Sequence, residues 1–452
     1  MRYVVDSSWW RRTSPTAETL VAGSPVRVMR LDPRAGPLLD ALEGGTEPPT
    51  PSPSLIHRLL DNGAIHPIID SDATPRLTVA DVTVVIPVHN ERHHEIVELV
   101  RSVVPAARVI VVDDGSEIPL AAIPGADIIR RDSPGGPSAA RNSGSAVVET
   151  ELILFIDADV IWNPEVWLPL LKHFDDERVA AVAPRVTSSP GPSVLERYER
   201  ARSPLDLGPE SARVRAGTRV SFVPAAAIMM RTKVVRSIGG FDESLRYGED
   251  VDLVWRMDGA GFHCRYEADT QVVHRPRTSM TAAWRQRASY GSAAAGLDAK
   301  HHGAVAPLRV NRWSLVAWLL VATGHTLVGV GTAAVSTAML VRKLNTVENR
   351  ASIAVRLAGR GNLHAGRLIA GALTRTWWPL TLMVGLFSRR ARRVALCAVV
   401  VPNIFSWWTT RPDLDVVRYV SMRALDDMAY GTGVWTGVRR SRRLGPLVPI
   451  ID

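Results

Sequence analysis

Through the middle of the chain, short aliphatic runs alternate with helix-length stretches. Val82-Thr-Val-Val-Ile-Pro-Val88 is apolar on consecutive positions and ends at a proline, the pattern of a parallel strand buried on both faces. A helical stretch over 91–102 follows, then Arg108-Val-Ile-Val-Val112, a strand over 126–130, a helix over 137–149 and Glu151-Leu-Ile-Leu-Phe-Ile156. Strands and helices in alternation predict an α/β sheet with right-handed crossovers and ligands beyond the carboxyl ends of its strands. Each of these runs gives way to polar residues, so the chemistry is sought there.

The pattern differs on either side. Residues 1–78 contain an alternating strand over 26–31, helices near 37–42 and 54–61, a strand over 64–69, and a Pro/Thr/Ser-rich loop over 47–54. This unit is similar to a winged-helix peptide-recognition module, and a plain extension packed on the next domain is the alternative. Beyond residue 300, positions 313–341 carry no charge apart from the ionisable His325, long enough to cross a bilayer. Residues 368–387 are nearly as apolar but hold Arg375, and 394–410 follow Arg389-Arg-Ala-Arg-Arg393. A first span would place the basic stretch 342–367 outside, against the positive-inside rule. Interfacial or re-entrant helices therefore rival spans, with Trp377-Trp378 and Trp407-Trp408 as interface anchors. The expected organisation is a small α+β module (1–78), a catalytic domain (79–300) and a basic, apolar, membrane-associated helical region with a transmembrane helix (301–452).

Composition narrows the function. The 452 residues suit two or three domains, and 46% hydrophobic against 22% charged excludes wholesale disorder. A formal charge of +9 arises largely from arginine beyond Arg309, beside the apolar stretches. An anionic membrane surface explains that distribution, and no DNA-reading motif or nucleic-acid partner is expected. Two distant cysteines make no disulfide framework. Positions 1–10 carry Asp6 and no apolar h-region, so no secretory leader is expected. The expected location is the cell membrane, with the catalytic domain cytoplasmic.

Four strand or helix ends carry candidate chemistry. Asp113-Asp114-Gly115-Ser116 places two carboxylates and a glycine turn after a buried strand, where they can accept from a base N–H and ribose hydroxyls. Asp157-Ala-Asp159 sets two carboxylates close together, an arrangement that calls for a cation. Oxygen ligands favour Mg²⁺ or Mn²⁺, bridging to diphosphate and neutralising a leaving nucleotide. His274 follows a strand and could complete that metal shell, although a lone histidine is more often structural. Gly135-Gly-Pro-Ser-Ala-Ala-Arg141 offers a helix N-terminus and an arginine to phosphate or ribose oxygens. Gly239-Gly240-Phe241-Asp242, followed by Gly248-Glu249-Asp250-Val-Asp252, leads into an amphipathic helix. Capping accounts for Asp252, whereas Asp250 is placed as general base.

Taken in order, these motifs resemble family 2 glycosyltransferases of the GT-A fold, over roughly half the chain. The resemblance implies a central mixed sheet and a nucleotide-sugar donor, a UDP-sugar. Val85-Ile-Pro87-Val-His-Asn90-Glu91 matches the opening strand, so Pro87, Asn90, Glu91, Asp113, Asp114, Arg141 and Asp157 would line the nucleotide-sugar pocket. Asp159 and His274 would bind the metal. Gly240, Phe241, Asp242, Glu249, Gln286 and Arg287 would meet the acceptor. Gln286-Arg-Ala-Ser-Tyr290-Gly291 lacks the Arg-Trp pair of processive members, which argues against polymerisation through a channel. Within the family, the layout is similar to the subgroup that glucosylates a peptide-derived redox cofactor, which implies a small peptide-derived acceptor and β linkage. A single base opposite a leaving diphosphate implies inversion. The alternatives are a lipid or polyprenyl phosphate acceptor, nucleotidyl transfer, and a non-catalytic scaffold. Nucleotidyl transfer would call for a Lys/Arg-bearing glycine loop where Pro87-Val-His-Asn-Glu91 stands.

Overall fold

A computed structural model describes residues 2–49, 52–70, 74–103, 106, 108–345 and 347–452. The loop expected over 47–54 lies partly outside the described residues. The chain divides into two compact units, Met1–Pro190 with Arg202–Pro276, and Gly191–Ala201 with Arg277–Asp452.

The first unit opens with β1 (Tyr3–Val5), β2 (Trp10–Thr13), β3 (Glu18–Ala22), β4 (Arg27–Leu31), α1 (Gly36–Glu43), α2 (Pro53–Asp61) and β5 (Ile65–Pro67). The expected strand, two helices and strand are β4, α1, α2 and β5, and three more strands precede them. Strands β2, β3 and β4 form one antiparallel sheet, and β1 pairs with β5. Leu20, Leu39, Leu42, Leu59 and Ile65 close a small core. The module joins the rest of the first unit through Arg213, which donates to the Asp61 carbonyl at 2.7 Å, and through Arg219, which donates to Asp6 at 2.9 Å.

The rest of the first unit runs β6 (Val82–Val88), α3 (His93–Ser102), β7 (Arg108–Asp113), β8 (Asp127–Arg130), α4 (Pro137–Ala146), β9 (Leu152–Ile156), β10 (Val160–Ile161), α5 (Trp167–His173), β11 (Val179–Ser188), β12 (Ala212–Val214), β13 (Ala227–Arg231), α7 (Thr232–Ser237), α8 (Glu249–Gly259) and β14 (His263–His274), while α6 (Val194–Arg202), which follows β11 in the chain, falls almost wholly in the second unit. Eight strands follow the order β10-β14-β11-β13-β9-β6-β7-β8, and β12 adds to β14. The sheet is mixed: β9, β6, β7 and β8 are parallel, while β13 is antiparallel to both β9 and β11. Period-two alternation sends Val84, Ile86 and Leu154 into one core and Val85, Ile153 and Phe155 into the other. Being buried on both faces is what made these strands read as unbroken apolar runs.

In the second unit, α9 (Met280–Lys300) packs along α15 (Val416–Ser441) through small residues. A Cβ at Gly433 would collide with the Ala288 carbonyl, so the crossing needs glycine there. Between them lie β15 (Arg309–Val310), α10 (Arg312–Ala322), α11 (Thr326–Lys343), α12 (Arg350–Gly371), α13 (Trp378–Phe387) and α14 (Arg389–Thr410), and β16 (Ile450–Ile451) pairs with β15. The expected transmembrane helix is corrected here: among the described residues, no helix is long and apolar enough to cross a membrane. The uncharged run 313–341 breaks at Thr323-Gly324-His325 into helices of 11 and 18 residues that pack on each other. At 1.5 Å per residue, α10 reaches only about 17 Å. Leu327, Leu363, Leu386, Phe387 and Trp408 stand exposed on this unit.

Candidate active site

The site grows from the carboxyl end of β9. The apolar strand stops at Ile156, and Asp157 N–H donates to the Ala226 carbonyl at 2.9 Å. Three residues on, β10 pairs with the end of β14 in the register Val160↔His274. That ladder brings Asp159 beside His274, with Oδ2 and Nε2 3.2 Å apart. His274 is 7% exposed, and its buried Nδ1 has no hydrogen-bond partner among the described residues.

Arg141, on the second turn of α4, ties this strand end to the start of α8. Its Nη2 donates to Asp157 at 2.6 Å and its Nη1 to Glu249 at 2.8 Å, while the guanidinium lies 5.3 Å from the centre of the Phe241 ring. Asp250 follows Glu249 in the first turn of α8. It accepts from the Ala225 N–H at 3.2 Å and the Val251 N–H at 2.8 Å.

Charge accounting defines the cluster. One buried guanidinium sits in the field of three carboxylates: Asp157, Glu249 and Asp250. Burial pushes Glu249 up to about 7, the Asp250 carboxylate adds to the rise, and Arg141 offsets part of it. Burial also raises Asp250, against the pull of its backbone donors and Arg141. Asp157 is raised by burial despite Arg141, and Asp159 pushes it further. Such a surplus of negative charge suits a cation.

Among the described residues, no group of three His, Cys, Asp or Glu side chains surrounds one metal-sized point. Asp157 faces Arg141 and leaves Asp159 and His274 as the donor pair. An oxygen and an imidazole with further positions open to substrate phosphate fit a hard divalent ion, which keeps few protein ligands at such sites.

The other expected residues are distributed around this cluster. Asp113 is fully buried and accepts from Ser116 N–H at 2.9 Å, Leu120 N–H at 3.1 Å and Arg130. Asp114 accepts from Arg131 Nε at 2.7 Å, Gly135 N–H at 2.9 Å and Gly136 N–H at 2.7 Å. Both carboxylates are thus turned inward: Asp113 closes the turn after β7 onto Arg130 of β8, and Asp114 binds that turn to the N-terminus of α4. Pro87 is half-buried near the end of β6, and Asn90 and Glu91 are exposed just beyond it. Asn90 holds φ 57° and its Oδ1 accepts from Glu117 N–H at 2.9 Å.

In the 239–242 loop, Phe241 is buried and Asp242 half-buried, its Oδ1 accepting from Ser244 N–H at 2.8 Å. Gln286 and Arg287 lie on α9 in the second unit. There the Arg287 guanidinium donates to Glu199 at 2.6 Å and also bonds Asp426.

Two positioning residues went unassigned from sequence. Asn142 clamps the loop by donating to the Phe241 carbonyl at 2.8 Å and accepting from the Phe241 N–H at 2.9 Å. Arg256 donates to the carbonyls of Ile238 and Gly240 at 2.6 and 2.7 Å. The adjacency of Asn142 to Arg141 was the available signal, whereas Arg256 gave none beyond its helix.

The description Glycosyl transferase family 2 matches residues 83–239. Over 454 aligned residues, the chain is 38% identical to the pre-mycofactocin glycosyltransferase of Mycobacterium tuberculosis (strain ATCC 25618 / H37Rv), covering 96% of this chain and 94% of that protein. The corresponding protein of strain CDC 1551 / Oshkosh matches to the same extent. Among solved structures, it is similar to the mannosyltransferase PcManGT from Pyrobaculum calidifontis in complex with GDP-Man and Mn²⁺. That match has 15% identity and a TM-score of 0.38, over 80% of this chain and 90% of that one.

Proposed function

The chain belongs to the family 2 glycosyltransferases, and from that premise we propose that it moves a hexose, glucose in β linkage, from a UDP-sugar to a hydroxyl of a peptide-derived redox cofactor, with inversion at the anomeric carbon. The name of its Mycobacterium relatives supports mycofactocin precursors as the acceptor class. The observation that carries the chemistry is Asp250, held by two backbone N–H groups in a cluster where one arginine faces three carboxylates.

Asp250 takes the proton of the acceptor hydroxyl as that oxygen bonds to the anomeric carbon. The bond from that carbon to the diphosphate oxygen breaks on the opposite side, and UDP leaves with the electron pair. Mg²⁺ or Mn²⁺ held by Asp159 and His274 would supply positive charge to the departing diphosphate. Pro87, Asn90, Glu91 and the 113–116 turn shape the nucleotide pocket, with Arg141 fixing Asp157. The loop carrying Gly240, Phe241 and Asp242, together with Glu249, faces the acceptor. The N-terminal module serves as a peptide-recognition element.

The second unit rests on an anionic membrane surface at the cytoplasmic side. Exposed Leu386 and Phe387 next to Arg389, Arg390, Arg392 and Arg393 favour that placement. The same surface keeps a lipid acceptor as the second reading. One experiment separates the two: the purified full chain, UDP-glucose and Mn²⁺ are offered the soluble cofactor precursor or a polyprenyl phosphate, and products are read by mass spectrometry. Hexose on the precursor alone supports the first reading. Hexose on the lipid alone replaces it.

A further inference from the structure

Ser188 ends β11 on the strand beside His274. The register Arg185↔Gln271, Val186↔Val272, Thr187↔Val273, Ser188↔His274 runs without a slip. Ser189 N–H donates to the His274 carbonyl at 3.0 Å, which pins the two strand ends together. Register partners on neighbouring strands lie about 4.8 Å apart and send their side chains to the same face. Val186 and Val272, two residues earlier on each strand, enter one core, so Ser188 and His274 point to that face as well.

Each of the two side chains carries a polar atom left over. Ser188 is 6% exposed, and among the described residues its Oγ has no hydrogen-bond partner, as is true of His274 Nδ1. Of the buried side-chain oxygens that lack a partner there, Ser188 Oγ alone lies in the first unit, and those of Tyr198, Asn362 and Asp427 lie in the second. The unpartnered indole N–H groups of Trp162 and Trp167, just beyond β10, only donate. Leaving a buried polar atom unpaired costs about 1–3 kcal/mol. On a ring whose other nitrogen stands 3.2 Å from Asp159, it also leaves the tautomer unset.

A neutral imidazole carries a single N–H. For Nε2 to bind a cation that proton must sit on Nδ1, and Nδ1–H then calls for an acceptor of its own. We propose that the Ser188 hydroxyl is that acceptor, a positioning residue that sets the His274 ring for the metal. The inference rests on the reading of Asp159 and His274 as the donor pair. Rotation about the Cα–Cβ bond of Ser188 turns Oγ toward the neighbouring ring, and the Nδ1–H···Oγ bond fixes both the tautomer and the ring plane. A carboxylate at position 188 would accept the same bond, but it would add to the negative charge that Asp157, Glu249 and Asp250 already hold around Arg141. A hydroxyl orients the ring without that cost.

The test follows Mn²⁺ binding to the full chain through the EPR signal of the free ion, beside thermal melting in EDTA. Ser188→Ala binds Mn²⁺ about tenfold more weakly than the wild type. In EDTA it melts no lower, because the Oγ it removes holds no hydrogen bond among the described residues. Ser188→Thr, which keeps the hydroxyl, binds Mn²⁺ close to the wild type. Equal Mn²⁺ affinity of the wild type and Ser188→Ala overturns the assignment and leaves the donor pair standing. Equal weakening in Ser188→Thr and Ser188→Ala also overturns it, since the hydroxyl would then not be what matters. So does a Ser188→Ala chain that melts well below the wild type, because Ser188 would then be structural. A wild-type chain that binds no more Mn²⁺ than His274→Ala removes the donor pair, and this assignment with it.

Discussion

Glu249→Gln tests the electrostatics of the site most directly. The wild-type carboxyl is 7% exposed, accepts from Arg141 at 2.8 Å, and is raised by burial and by Asp250 from an ordinary 4.5 to about 7. Because the folded value is the higher one, the folded chain binds this proton more tightly than the unfolded chain. The stabilisation is complete below about pH 4.5 and is lost as the pH rises to about 7. A shift of that size corresponds to about 3 kcal/mol, and glutamine keeps the carbonyl acceptor without the charge. Relative to the wild type, the variant gains about 3 kcal/mol between pH 4.5 and pH 8, roughly 6–12 °C in melting temperature for a unit of this size. The assay is thermal melting of both proteins in EDTA across that range. The variant-minus-wild-type difference removes groups that titrate alike in both. A difference that stays flat with pH, or a variant less stable than the wild type at pH 8, refutes the picture of a carboxyl forced to ionise in a crowded acidic cluster.

Other outcomes follow from the same geometry. Asp250→Asn lowers kcat by about 10²–10⁴-fold and leaves the KM for UDP-sugar within a few fold, measured by UDP release. Full turnover would remove Asp250 as the base. His274→Ala raises the Mn²⁺ concentration for half-maximal activity by about 10–100-fold, and an unchanged metal titration would take His274 out of the donor pair. Gly240→Ala meets a φ of 68° and places Cβ 2.7 Å from Asn142 Oδ1. It costs about 1–3 kcal/mol by melting, and a neutral result would show that the clamp is loose.

The α/β core was legible because each central strand is buried on both faces and its polar residues gather at one end. The same polar strand end singled out Asp157 and Asp159 as candidates, whereas the glycine turn ahead of α8 marked Glu249 and Asp250. The small strands β1, β2 and β3 were missed: Trp10-Arg-Arg-Thr13 shows no apolar alternation, and Tyr3–Val5 finds its partner more than sixty residues away in β5. In the C-terminal region, uncharged length was mistaken for span length, since hydropathy does not register the turn at Gly324. Arg287 read as an acceptor ligand from its place after Gln286. Its salt bridges to Glu199 and Asp426 are long-range pairings that one sequence does not reveal.

Hydrogen bonding decides where the proton sits in the Glu249–Asp250 pair. Burial raises both carboxyls, so they titrate as a pair rather than singly. Asp250 accepts two backbone N–H bonds that reward its ionised form. Glu249 accepts from its own backbone N–H and from an arginine already shared with Asp157. A proton held on Glu249 leaves Asp250 ionised and able to take the acceptor's proton. Two adjacent carboxyls are thereby given opposite tasks by environment alone, and the charge that Glu249 does not carry is charge that Asp250 can hold.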